Sequence, residues 1–107
     1  MIHPGVQRVI DVLSKVEDAD FSMMKRSKCI AGHCDSISTC EPLDLCSNVF
    51  MNVTGVSDQA IADAVVYPSF NNHFKEIERA NVSQAIKMLE ILRDTGKVEW
   101  DLALGLM

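Results

Sequence analysis

The residues best equipped for chemistry fall within one short stretch of the chain. Cysteines stand at Cys29, Cys34, Cys40 and Cys46, and His33 sits beside Cys34 in the segment Cys29-Ile30-Ala31-Gly32-His33-Cys34. Cys29 and His33 are four apart, so on a helix they share a face and can present a thiolate and an imidazole to one zinc ion. Cys40 points the same way, but at 1.5 Å per residue it lies about 16 Å along the axis from Cys29, too far to hold the same ion on a continuous helix. Cys34 lies on a different face. A zinc site therefore needs Cys46, His73 or an acid to arrive from elsewhere, and the candidate set is Cys29, His33, Cys46 and His73. The spacing matches neither a paired Cys-x-x-Cys knuckle nor a zinc finger. Buried cysteine is common simply as a small apolar residue, so core packing without any cofactor is the plainer expectation.

A cysteine nucleophile is the second chemistry these residues suggest. His33 cannot act as base for Cys34, because neighbouring side chains on a helix diverge. The base would have to be His73 or His3, and no orienting Asn or Asp is identifiable. Asp58 with Asp63, and Asp35 with Glu41, are spaced as ordinary exposed faces rather than as a catalytic carboxylate pair. There is no phosphate-cradling glycine loop, no serine elbow and no basic recognition helix. The expectation is that the chain is not an enzyme.

Charge is distributed unevenly. The net charge is −5, yet residues 1–28 hold four acids and five bases and residues 75–107 hold six acids and five bases. Residues 29–74 hold Asp35, Glu41, Asp44, Asp58 and Asp63 and no Lys or Arg. Such a segment disfavours direct contact with nucleic acid phosphates and suits a basic protein partner or self-association. Lys25, Arg26 and Lys28 form a short basic cluster that reads as a solvated loop. On the acidic segment, Asp58 and Asp63 are the residues expected to meet a partner. Trp100, the one tryptophan, is either the plug of a small core or an interface anchor.

The elements that must position these groups are helical. With 107 residues and 48% hydrophobic content, the chain suits one packed domain, residues 1–107, with a core of Val, Ile, Leu, Ala and Met. Val6, Val9, Ile10, Leu13 and Val16 recur at helical spacing and predict a helix over 4–17. A second, largely uncharged helix is expected over 28–40, with Gly32 allowing a close neighbour. Pro42 can open a third, carrying Leu43, Cys46, Val49 and Phe50 inward and ending at Gly55. Ser57 is the expected N-cap of a fourth, which stops before Pro68. Phe70, Phe74 and Ile77 suggest a helical turn or two. Asn81 with Gln84 forms a capping box ahead of Ala85, Met88, Leu89 and Leu92, and Gly96 ends that helix. The fold expected is an all-α bundle of about five short helices. No apolar run approaches the roughly 20 residues of a membrane span, and no secretory signal is visible, so a cytoplasmic protein with reduced cysteines is expected.

Several of these parts occur together in a recurring order: Arg8-Val9-Ile10 in a first helix, Cys-Ile-Ala-Gly-His opening the central one, a Gly-Val stop at Gly55, and a closing Gly-Lys-Val-Glu-Trp. This layout resembles a loose group of small uncharacterised proteins of phages and bacterial genomes marked by a Cys-Ile-Ala-Gly-His/Trp segment. The chain departs from the group's pattern in lacking a Trp before Cys29 and in adding Cys34, Cys40 and Cys46. The resemblance implies a helical domain of mobile-element origin and nominates no catalytic residue. Three functions follow as expectations. The first is a non-enzymatic interaction protein, in one version an inhibitor of a host defence protein, with a homodimer as a further form. The second is a zinc module, and the third a cysteine-dependent enzyme.

Overall fold

In the computed structural model, which describes residues 1–41 and 44–106, the apolar periodicity becomes a set of short helices around one core. The α-helices are α1 (Val6–Leu13), α2 (Ile30–Cys34), α3 (Cys46–Thr54), α4 (Gln59–Val66), α5 (Phe74–Glu78), α6 (Val82–Thr95) and α7 (Trp100–Ala103). Single 3-10 turns at Asp18–Asp20, Asp35–Ile37 and Pro68–Phe70 connect them, and no strand forms among the described residues. The fold is all-α, and its radius of gyration of 12.2 Å is that of a chain folded about one centre. No helix among the described residues is long and apolar enough to cross a membrane.

The longest helix, α6, is the most strongly specified. The Asn81 side chain accepts from the Gln84 N–H at 2.8 Å while the Gln84 side chain accepts from the Asn81 N–H at 3.0 Å, which completes the expected capping box. Asp18, from the first 3-10 turn, accepts from the next amide, Val82, at 3.1 Å. Gly96 then closes α6 in the left-handed conformation at φ 78°. The stripe Ala85, Met88, Leu89 and Leu92 is fully buried and packs against α1, whose Val6, Val9, Ile10 and Leu13 face it. Each of these side chains larger than Ala85 stabilises the fold by roughly 1.5–3 kcal/mol when taken from water.

α1 also packs on α2 and α3, so the central layer is α1 flanked by α6 on one side and the α2–α3 pair on the other. The entry to α1 is tight. A side chain at Gly5 would strike the Thr54 carbonyl at the end of α3, 1.8 Å from an added Cβ. The α3 helix ends at Gly55 with φ 77°, as its sequence predicts. α4 is capped by Asp58 rather than by Ser57, its carboxylate accepting from the Ala60 N–H at 2.9 Å. Trp100 closes the core: it is 2% exposed, and its indole N–H donates to the Ala64 carbonyl at 3.0 Å. Trp100 also opens the short last helix, α7.

The central helix expected over 28–40 is much shorter. α2 has five residues, and the chain leaves helical geometry at Ser38. Local side chains compete for the backbone there. The Ser38 hydroxyl accepts from the Cys40 N–H at 2.9 Å, and Asn52 of α3 accepts from the Thr39 N–H at 3.0 Å. Gly32 does allow a close neighbour, as expected, but the neighbour is the Arg26–Ser27 backbone and not another helix; an added Cβ would lie 2.3 Å from the Arg26 carbonyl oxygen. The expected start of the third helix at Pro42 and the inward Leu43 lie outside the described residues.

Candidate functional site

Two places on the molecule gather groups that a packed core does not require. The first forms where α2 meets α3. Cys29 caps α2 with extended backbone, and Cys46 is the first residue of α3. The packing of these helices places both cysteines at one junction, where the Cys29 S–H is directed to the Arg26 carbonyl at 3.5 Å. Cys29 is 3% exposed, whereas Cys46 is half-buried and lines an open pocket of about 280 Å³ with Arg26, Asp44, Leu45 and Tyr67. Arg26 spans the site. Its guanidinium donates to both Asp35 carboxylate oxygens at 3.2 and 3.1 Å and to the Asp44 carbonyl at 3.2 Å.

This environment divides the thiols into two kinds. The hydrogen bond from Cys46, aided by the Gly32 and Ala31 amides and the Arg26 charge and opposed by burial, pulls Cys29 down to about 6. Cys46 moves upward, because a second negative charge beside the Cys29 thiolate is disfavoured and burial adds to the cost. Cys34, at the other end of α2, is pushed up to about 12, first by burial and then by the charges of Cys29 and Asp35. Cys40 is half-buried with its S–H directed to the Asn48 carbonyl at 3.7 Å. All four thiols are free.

The histidines of the candidate zinc set hold other partners. His33 Nε2 donates to the Asp20 carbonyl at 2.9 Å, which commits that ring nitrogen, and the ring stacks on Phe21. His73 Nδ1 pairs with Asp101 at 2.9 Å. Of Cys29, His33, Cys46 and His73, both histidines are thus engaged elsewhere, and Cys29 and Cys46 share only the α2–α3 junction. Among the described residues no group of three or more His, Cys, Asp and Glu side chains is arranged to hold a metal ion.

The second place is an exposed apolar face built from the Pro68–Phe70 turn, α5 and α7. Phe70 is 63%, Phe74 42% and Leu102 45% exposed. The His73–Asp101 pair joins the start of α5 to α7, and the Pro68–Phe70 turn packs against α5. A cleft of about 230 Å³ opens beside Phe70, walled by Asn71, Asn72, Val98, Glu99, Trp100 and Asp101. Asp101 holds His73 above its ordinary value through the hydrogen bond and then through its charge. Trp100 contributes to the cleft wall from below but belongs to the core, so the exposed aromatics of this face are Phe70 and Phe74. Asp58 is exposed and spends one oxygen on its helix cap, while Asp63 is half-buried and accepts from the Gln59 amide at 2.9 Å.

Arg26, read from the sequence as part of a solvated basic loop, is instead anchored on Asp35 and the Asp44 carbonyl, and Tyr67 was not singled out at all. The signal for Arg26 was its place as the last arginine before a span without cations, three residues from Cys29. Nothing in the local pattern marks Tyr67, which reaches the thiol pocket from the end of α4. Comparison of the chain with protein-family models, with curated proteins and with solved structures gives no match, so the geometry of these two places is what a functional reading rests on.

Proposed function

We propose that the chain is a non-enzymatic interaction protein that meets its partner through the Phe70–Phe74–Leu102 face. The observation that carries this reading is the exposure of three large apolar side chains on adjoining elements, in a fold that buries Trp100 directly beside them. A monomer gains nothing from leaving such groups in water, and clustered apolar surface rimmed by polar groups is the usual mark of a contact site. His73, Asp101, Asn72 and Glu99 supply that rim.

The partner's chemistry follows from the charge of the segment leading to this face. Residues 29–74 carry acids and no Lys or Arg, which favours a partner with a basic surface around an apolar pocket. The resemblance to small phage and bacterial proteins makes an inhibitor of a host protein one form of this function, and a second copy of the chain is another occupant for the same face.

The test is affinity capture from the producing cells with the wild-type chain, the Phe70→Ser/Phe74→Ser variant and the Asp58→Asn/Asp63→Asn variant. Asn caps a helix as well as Asp does, so the second pair changes charge without removing the α4 cap. A stoichiometric partner held by the wild type and lost with the Phe variant supports the face. Equal recovery by both refutes it. Recovery lost with the Asn variant alone would move the contact to the acidic side of α4.

A further inference from the structure

We propose that the cleft beside Phe70 receives an arginine side chain of the protein partner. The cleft adjoins the Phe70–Phe74–Leu102 face, so its role rests on the reading of that face as a contact surface. Its volume of about 230 Å³ lies below that of pockets for drug-sized ligands, which start at about 300 Å³, and suits the end of one side chain.

The hydrogen-bonding character of the lining decides the chemistry. Two side-chain donors of the lining are spent inside the fold: the Trp100 indole N–H and the Asn71 amide nitrogen both donate to the Ala64 carbonyl at 3.0 Å. The Tyr67 and Pro68 carbonyls also lie 3.5 and 3.4 Å from that Asn71 nitrogen. Three carbonyls around one nitrogen fix the orientation of the amide and leave Asn71 Oδ1 as an acceptor. Asn72 is exposed and can present either end of its amide. Asp101 gives one carboxylate oxygen to His73 at 2.9 Å and keeps the other. Among the described residues the ion pairs are Arg26–Asp35, His73–Asp101 and Arg93–Asp94, so the half-buried Glu99 carboxylate has no cation against it. Protonated His73 offsets the charge of Asp101, which makes Glu99 the principal anion of the cleft.

Two carboxylates and a carbonyl oxygen thus stand beside the ring of Phe70, which is 63% exposed. A guanidinium matches each of them. It brings a permanent charge to the carboxylates, five N–H donors in one plane to the acceptors, and a flat face to the ring. An ammonium brings the charge without the plane, so the occupant is arginine rather than lysine.

The experiment titrates the full chain, labelled with nitrogen-15, with the capped tripeptide leucine-arginine-leucine and follows it by NMR. Trp100 is the one tryptophan and lines the cleft, so its indole N–H gives a single reporter signal. The expected result is a saturable shift of that signal at millimolar peptide. Peptides with lysine or with citrulline, a planar but uncharged isostere, in place of arginine should bind several-fold more weakly. Glu99→Gln should weaken the arginine peptide several-fold, and because Glu99 makes no side-chain capping hydrogen bond to α7, this variant keeps the fold. No saturable shift, equal affinity for the lysine or citrulline peptide, or undiminished binding by Glu99→Gln overturns the proposal. Failure of the face itself reads differently. Capture of the partner lost with Phe70→Ser/Phe74→Ser, alongside an indole signal unmoved by the peptide, overturns the arginine site and leaves the face standing. A Glu99-dependent shift alongside capture that ignores the Phe variant supports the arginine site and refutes the wider face.

Discussion

The thiol pocket and the apolar face meet at one residue and manage exposure in opposite ways. Tyr67 lines the thiol pocket, and its ring lies 5.8 Å from that of Phe70 on the apolar face. On the Tyr67 side, reactive groups are drawn inward and partnered: Cys29 is covered, Arg26 is anchored, and no buried polar side-chain atom is left unsatisfied among the described residues. On the Phe70 side, large apolar groups are left out, although the core lies directly beneath. The difference separates two tasks. Thiol chemistry needs a polar site with restricted access, whereas recognition needs apolar surface that water can leave.

The sharpest way to break this comparison is to exchange a buried aromatic for an exposed one. Trp100→Ala should lower unfolding free energy by about 3–5 kcal/mol, because it empties the core and leaves the Ala64 carbonyl with Asn71 as its one side-chain donor. Phe70→Ser should cost less than about 1 kcal/mol, as surface changes do. Urea midpoints measure both, and comparable losses would mean that the apolar face is part of the core.

The pH dependence comes next. In the folded chain Cys29 titrates at about 6 against an ordinary 9.0. Between those values the unfolded chain holds a proton that the folded chain has released, so stability should rise with pH across the interval and fall away as pH drops through about 6. Cys34 has the opposite sign. Held at about 12, it keeps its proton when folded, as does the raised Cys46, so stability should decline again above pH 9.0. Cys29→Ser should remove the rise and leave the decline. A rise that persists in that variant would assign it to another group.

The smallest effect lies on the apolar face. Asp101→Asn should lower the His73 titration midpoint, read by proton NMR, because the hydrogen bond and charge that raise it are weakened. His73 is raised, so its contribution to folding is complete below 6.5 and is lost as pH climbs through the folded value. Its exposure keeps this contribution near the bottom of the range for surface pairs. An unchanged midpoint would mean that the His73–Asp101 pair does not hold the rim of the face.

Much of the fold was legible wherever local chemistry and tertiary packing agree. Asn81, Gln84 and Gly96 bound α6 because caps are local, and Val6, Val9, Ile10 and Leu13 mark α1 because its buried face follows the helical period. The segment 28–40 was legible only in part. Its apolar residues repeat at helical spacing, but Ser38, Thr39 and Asn52 offer the backbone other partners, and Asn52 comes from α3. The thiol pair was half legible for the same reason. Cys29 and Cys46 stood out as chemical residues, yet what joins them is the α2–α3 contact, set by long-range packing. His33 looked like a zinc ligand from its spacing to Cys29, but Cys29 caps α2 in an extended conformation and the Asp20 carbonyl takes the imidazole. Exposure at Phe70 and Phe74 had no local sign, because an aromatic at helical spacing reads as core.

The most direct test of the recognition role is photo-crosslinking in producing cells, with a photoreactive amino acid placed at position 74 in one chain and at position 15, an exposed site on α1's trailing turn, in another. A discrete adduct from position 74, absent from position 15 and suppressed by Phe70→Ser, is the result this account predicts. Equal adducts from both positions, or none from position 74, would contradict it.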